Sequence, residues 1–132
     1  MLFRSDDLEF NQHLWHNLNH WPPLMDRQVT LAGLYDPGIS RIDPRGPSWW
    51  AARPASVYGS QAFFLSSSTA QYLVRQWHSM RLPLDLRMAR LAAQLAEPLF
   101  YHNPSLVHHT GLASLSMGSF HQAVDFHPFW RA

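Results

Sequence analysis

The chain contains no cysteine and no lysine, and all ten of its basic residues are arginine. Without cysteine there are no disulfides, no thiolate metal sites and no cysteine nucleophile, which suits a reducing compartment. Without lysine there is no Schiff-base chemistry. The arginines are scattered, and nine acidic residues nearly cancel them, leaving a formal charge of +1. A nucleic-acid surface needs clustered cations to displace counterions, so that partner is not expected. No apolar run is long enough to cross a bilayer. Met1 leads straight into Arg4, Asp6 and Asp7, so no signal peptide is expected. Neither G-x-G-x-x-G nor G-x-x-x-x-G-K occurs, and Gly59-Ser60 lacks the second glycine of a nucleophile elbow.

What is present is apolar and aromatic. Of 132 residues, 46% are hydrophobic, including six Trp, four Tyr and eight Phe. That is enough for one core and one domain spanning 1–132. A helix is expected from Asp6-Asp7 to Trp21, with Leu8, Leu14, Trp15, Leu18 and Trp21 inward and Pro22-Pro23 ending it. His13, His16 and His20 fall on another face, read as solvated rather than metal-binding. Val29–Tyr35 reads as a strand. Residues 36–54 are rich in Pro, Gly, Ser and Arg, and read as a long loop anchored by Trp49-Trp50. Val57–Leu65 reads as a strand. Ser68-Thr69-Ala70-Gln71 has the form of a capping box opening a helix with Ala70, Leu73, Val74, Trp77 and Met80 inward. Another helix starts near Leu84-Asp85. Leu99–Val107 reads as a strand interrupted by Pro104, hence an edge strand or one ending there. The fold class is α/β in a mixed α+β arrangement, a mixed sheet with flanking helices.

Three places carry candidate chemistry. Asp6-Asp7 offer oxygen ligands for a hard cation, against the plainer role of helix N-capping. His109, in His108-His109, would complete a Mn²⁺ site with carboxylates, against an exposed loop histidine. Asp85 would serve as a general base, against a first-turn acid complementing the helix dipole. Trp49 and Trp50 are candidates for stacking on a sugar.

Together these segments resemble GT-A-fold glycosyltransferases of the bacterial lipopolysaccharide and collagen types. Asp6-Asp7-Leu8-Glu9-Phe10-Asn11 resembles their acidic metal-binding segment, although Ser5 stands where an acid is usual. Tyr58-Gly59-Ser60-Gln61-Ala62-Phe63-Phe64-Leu65-Ser66 resembles their downstream strand. Asp85 is placed like their acidic residue near the acceptor. Tyr101–Gly111, with Pro104-Ser105-Leu106-Val107, is similar to their closing segment, and Asp125-Phe126 to their usual end. The resemblance spans most of residues 6–130. Only five residues precede the acidic motif, so it corresponds to the acceptor-side, C-terminal half of such a domain, an incomplete GT-A-like unit.

The resemblance implies transfer of a sugar from a nucleotide sugar, such as a UDP-sugar, to a glycan or other hydroxyl acceptor. It implies Mn²⁺ or Mg²⁺ held by Asp7 and His109 with Asp6 in support, Asp85 as base, and residues 36–54 as a flap bringing Trp49 and Trp50 to the acceptor. An oligomer or partner chain would supply the other half. The place of action would be cytoplasmic, peripheral to the inner membrane through its substrates. The alternative is a non-catalytic glycan- or protein-binding module.

Overall fold

A computed structural model describes residues 7–26, 29–38, 41–46, 48–52, 57, 61–95, 99–111 and 122–132. It is a mixed α+β arrangement with two sheets. The elements are β1 (Leu8–Phe10), α1 (Leu14–Asn19), α2 (Pro22–Met25), β2 (Leu31–Gly33), β3 (Arg41–Gly46), β4 (Trp49–Ala52), β5 (Phe63–Leu65), α3 (Ser67–Gln76), α4 (Leu84–Ala93), β6 (Leu99–His102) and β7 (Val107–His109). Strands β3-β4-β6-β2-β5 form the larger sheet in that order, and β1 pairs with β7 in a separate antiparallel ribbon. Within the larger sheet only β2 and β6 run parallel. Among the described residues no helix is long and apolar enough to cross a membrane.

Strand alternation divides the core between the two faces of the sheet. Leu31, Trp50, Ala52, Leu99 and Tyr101 face α3 and α4, where they meet Leu73, Met88, Leu91 and Ala92. Their neighbours Ala32, Ala51 and Phe100 face the other way and pack with Trp21 and Val29. A further cluster, with Leu18, Leu34, Leu106 and Val107, joins the β1–β7 ribbon to the sheet. Gly33 is fixed by close approach: a Cβ there would run into the ring of Tyr101 on the neighbouring strand.

Several expectations are corrected. The opening helix is instead a strand followed by two short helices. Leu8 and Phe10 flank the more exposed Glu9 in the alternation of a half-buried strand, and pairing with β7 holds that conformation. Trp15, expected inward, is 77% exposed. The loop expected over 36–54 is interrupted by β3 and β4, which form an antiparallel pair. Pro44 lies on the strand at the end of the sheet order, beside a register shift between Pro44 and Gly46, the setting in which a strand accepts proline. The α3 cap is Ser66, not Ser68. The extended backbone of Ser66 brings its Oγ to the Thr69 amide at 3.1 Å, while Ser68 already lies within the first turn. The strand expected over Val57–Leu65 is shorter, Phe63–Leu65, and Tyr58, Gly59 and Ser60 lie outside the described residues. The strand through Leu99 does end before Pro104, but β6 lies in the middle of its sheet. The starts of α4 and β2 are close to those expected.

Candidate metal centre

The ribbon brings together two residues from opposite ends of the sequence. Leu8 pairs with His109, Glu9 with His108 and Phe10 with Val107. One step beyond this register, the Asp7 carbonyl accepts hydrogen bonds from the Thr110 amide at 2.8 Å and the Thr110 hydroxyl at 2.9 Å. Asp7 is thereby fixed beside the end of β7. Its Oδ2 lies 2.8 Å from Nε2 of His109. The His109 ring is largely buried and the Asp7 carboxylate partly exposed, so the pair opens toward solvent from the carboxylate side. His109 Nδ1 is buried and finds no hydrogen-bond partner among the described residues.

Gly111 closes the third side. A Cβ at this position would collide with Oδ2 of Asp7 and lie 2.7 Å from Cε1 of His109. The glycine leaves a cradle against both side chains that any other residue would fill. At 2.8 Å the carboxylate and the imidazole form a hydrogen-bonded pair, and both are donor types that a divalent cation such as Mn²⁺ accepts. Among the described residues no third His, Cys, Asp or Glu joins them. One or two carboxylates are the usual protein ligands of a Mg²⁺ shared with substrate phosphates, whose oxygens and bound waters complete the shell. The N-capping role weighed for Asp7 does not occur. The acid precedes a strand, and the α1 cap position is His13, whose amide is bound by Asn11 Oδ1 at 2.7 Å. Asp6 lies outside the described residues.

The other candidates are placed apart. Asp85 is in the first turn of α4 and lines a small cavity with Gly33, Tyr35 and Tyr101. This cavity has about 20 Å³, room for roughly one water. Trp50 is 1% exposed and stacks on Tyr101 inside the core, so its ring is not offered to an acceptor. Trp49 is half-buried, with its ring edge-on to Phe100 at 5.0 Å. His16 and His20 stack at 4.1 Å, and His20 Nδ1 meets the His16 carbonyl at 2.8 Å, which agrees with a surface role.

Sequence reasoning missed one histidine. His102, the last residue of β6, is buried between the rings of Trp21 and Trp130. Its Nδ1 donates to the Pro104 carbonyl at 2.7 Å. Burial lowers its pKa from 6.5 to about 4, against the opposing effect of that hydrogen bond. It is a neutral core histidine at physiological pH. Its place inside an apolar strand run, Leu99-Phe100-Tyr101-His102, was the available signal. No protein-family model matches the sequence, and no curated protein or solved structure matches it.

Proposed function

We propose that the chain takes part in metal-dependent transfer of a sugar from a nucleotide sugar to a hydroxyl acceptor, with the Asp7–His109 pair as the cation site. The observation that supports this most is the convergence of Asp7 and His109 on the Gly111 cradle. That arrangement has a chemical purpose in sugar transfer, where a diphosphate must leave. A divalent cation bound there would supply positive charge to the leaving diphosphate. Asp7 would contribute a carboxylate oxygen and His109 an imidazole nitrogen. The β1–β7 pairing holds both in place before any ligand arrives.

The resemblance assigns the base to Asp85, which lies apart from the Asp7–His109 pair, so this part of the reading rests on the resemblance alone. The acceptor oxygen forms a bond to the anomeric carbon as the bond from that carbon to the diphosphate breaks. With Asp85 as base, the acceptor's proton would pass to its carboxylate. The resemblance to GT-A enzymes supports the same assignment of Asp7, His109 and Asp85. The alternative, a glycan-binding module acting through Trp49 and Trp50, is less well supported because Trp50 is in the core.

The test is thermal melting with Mn²⁺, UDP or both. Ligands that bind only the folded state raise the midpoint by mass action, by about 2.7 kcal/mol of stability at a hundredfold excess over Kd. The expected result is a shift that needs both components and is absent in Asp7→Ala and His109→Ala. A shift of equal size in both variants would overturn the site. No shift in the wild type with any common nucleoside diphosphate would overturn the reading.

A further inference from the structure

The Asp7–His109 pair sits on a short ribbon that is tied to the larger sheet at Leu34, whose carbonyl accepts from the Leu106 and Val107 amides, and by the cluster of Leu8, Phe10, Leu106 and Val107. Strands β1 and β7 have three residues each, and among the described residues they pair only with each other. An isolated two-stranded ribbon is marginal in water even when longer. Residues 122–132, which form no helix or strand, reach both of its strands. On the β1 side, the Gln12 amide donates to the Pro128 carbonyl at 2.8 Å. Asn11, the residue after β1, is buried and donates through Nδ2 to the carbonyls of His127 at 2.8 Å and Trp130 at 2.9 Å. Asn17 reinforces this from α1, donating to Asn11 Oδ1 and to the Trp130 carbonyl and accepting from the Ala132 amide.

On the β7 side, Asp125 Oδ1 accepts from both the amide and the hydroxyl of Ser105, at 3.1 and 2.5 Å. The same hydroxyl accepts from the Asp36 amide at 2.9 Å, and the Val124 amide donates to the Asp36 carbonyl at 3.1 Å. The next residue, Phe126, stacks on His108 with centroids 5.1 Å apart and rings 17° from parallel. Ser105 and His108 bracket the short approach to His109. Ala123 and Trp130 also pack on the cluster containing Leu106 and Val107.

We propose that residues 122–132 act as a clasp that positions Asp7 and His109, with Asp125 and Phe126 as positioning residues on the β7 side and Asn11 as their counterpart on the β1 side. Asp125 touches neither Asp7 nor His109. It acts through Ser105, which fixes where β7 begins. Phe126 acts through His108, which fixes the facing of the strand and therefore of the next side chain. The consequence for metal binding rests on the function proposed above, whereas the mechanical coupling does not.

The experiment combines amide hydrogen exchange with Mn²⁺ titration on the whole chain, comparing wild type, Asp125→Ala and Phe126→Leu. The reporters are the Thr110 amide, bonded to Asp7, and the Ala70 amide, bonded to Ser66 in α3. The variants are expected to exchange faster at Thr110 with Ala70 unchanged, and to bind Mn²⁺ about tenfold more weakly, as loss of an orienting partner around a metal ligand typically does. Phe126→Leu keeps an apolar side chain and so tests the clasp if Asp125→Ala does not fold. Unchanged exchange at Thr110 in the folded variants would overturn the proposal. So would equal acceleration at Ala70, which means general destabilisation. If the wild type binds no Mn²⁺ but Thr110 still responds, the metal reading fails and the clasp stands.

Discussion

The Trp50 ring lies on the Tyr101 ring, centroids 4.6 Å apart and planes 13° from parallel, across the β4–β6 pairing in which these residues are direct partners. Both are buried, and Tyr101 in turn closes over Gly33 of β2. The stack thus links three adjacent strands. Trp50→Ala would leave a large cavity there and is expected to destabilise the fold by about 3–5 kcal/mol. Trp49→Ala, at a half-buried position, should lose less. Denaturant midpoints for the two variants check this. If Trp50→Ala melts like the wild type, the ring is not the core element described.

Gly111→Ala tests the cradle without removing a ligand. The added methyl must displace Asp7 Oδ2 or the His109 ring, since it would overlap both. Overpacking of this kind typically costs about 1–3 kcal/mol. Here the partly exposed Asp7 carboxylate can swing toward solvent, so the folded state should survive. The expected outcome is a modest fall in melting temperature with a large loss of Mn²⁺ affinity, measured by calorimetric titration. Wild-type affinity in this variant would mean that Asp7 and His109 do not act together on a cation.

Much of the larger sheet was legible in the sequence because its strands carry short apolar runs. Leu99-Phe100-Tyr101 and Phe63-Phe64-Leu65 have no competing helical pattern. The N-terminal segment misled for a physical reason. Leu8, Leu14 and Leu18 satisfy a helical period by accident of two elements placed in series, and only pairing with β7 makes Leu8–Phe10 a strand. Residues 36–54 misled because Pro, Gly and Ser signal loops in isolation, whereas an edge strand with register shifts accepts them. Asp7 and His109 were linked in the sequence only through the resemblance, and the structure pairs their side chains at 2.8 Å. The Gly111 cradle and the clasp depend on contacts across the length of the chain, which no local pattern encodes.

Asp85→Asn separates binding from chemistry. Asparagine keeps the size of the side chain in the cavity beside Tyr35 and Tyr101 but cannot take up a proton at neutral pH. Loss of a positioned base typically removes 10²–10⁴ of the rate, on the order of 3–5 kcal/mol of transition-state stabilisation. Sugar transfer from a UDP-sugar should therefore fall by about that factor. The melting shift with Mn²⁺ and UDP should persist, because Asp85 is not part of the Asp7–His109 pair. Full transfer by Asp85→Asn would remove it from the mechanism.

His102 gives the fold a pH dependence of definite sign. Its pKa is about 4 in the folded protein and near 6.5 when the chain is unfolded. Between these values the unfolded chain binds a proton that the folded protein does not. Acid therefore favours unfolding, and stability falls as pH drops from about 6.5 to about 4, then levels off as far as this group is concerned. The size follows from the gap between the two pKa values and is on the order of 3 kcal/mol across the window. Nδ1 already donates to the Pro104 carbonyl, so protonation must place a charge on Nε2, which is buried with no partner among the described residues. His102→Asn retains a donor near Pro104 and removes the titration. Stability measured by urea unfolding between pH 4 and 7 should be steeper in the wild type than in His102→Asn. Equal slopes would mean that His102 reaches water when charged, and that its burial between Trp21 and Trp130 is not maintained in solution.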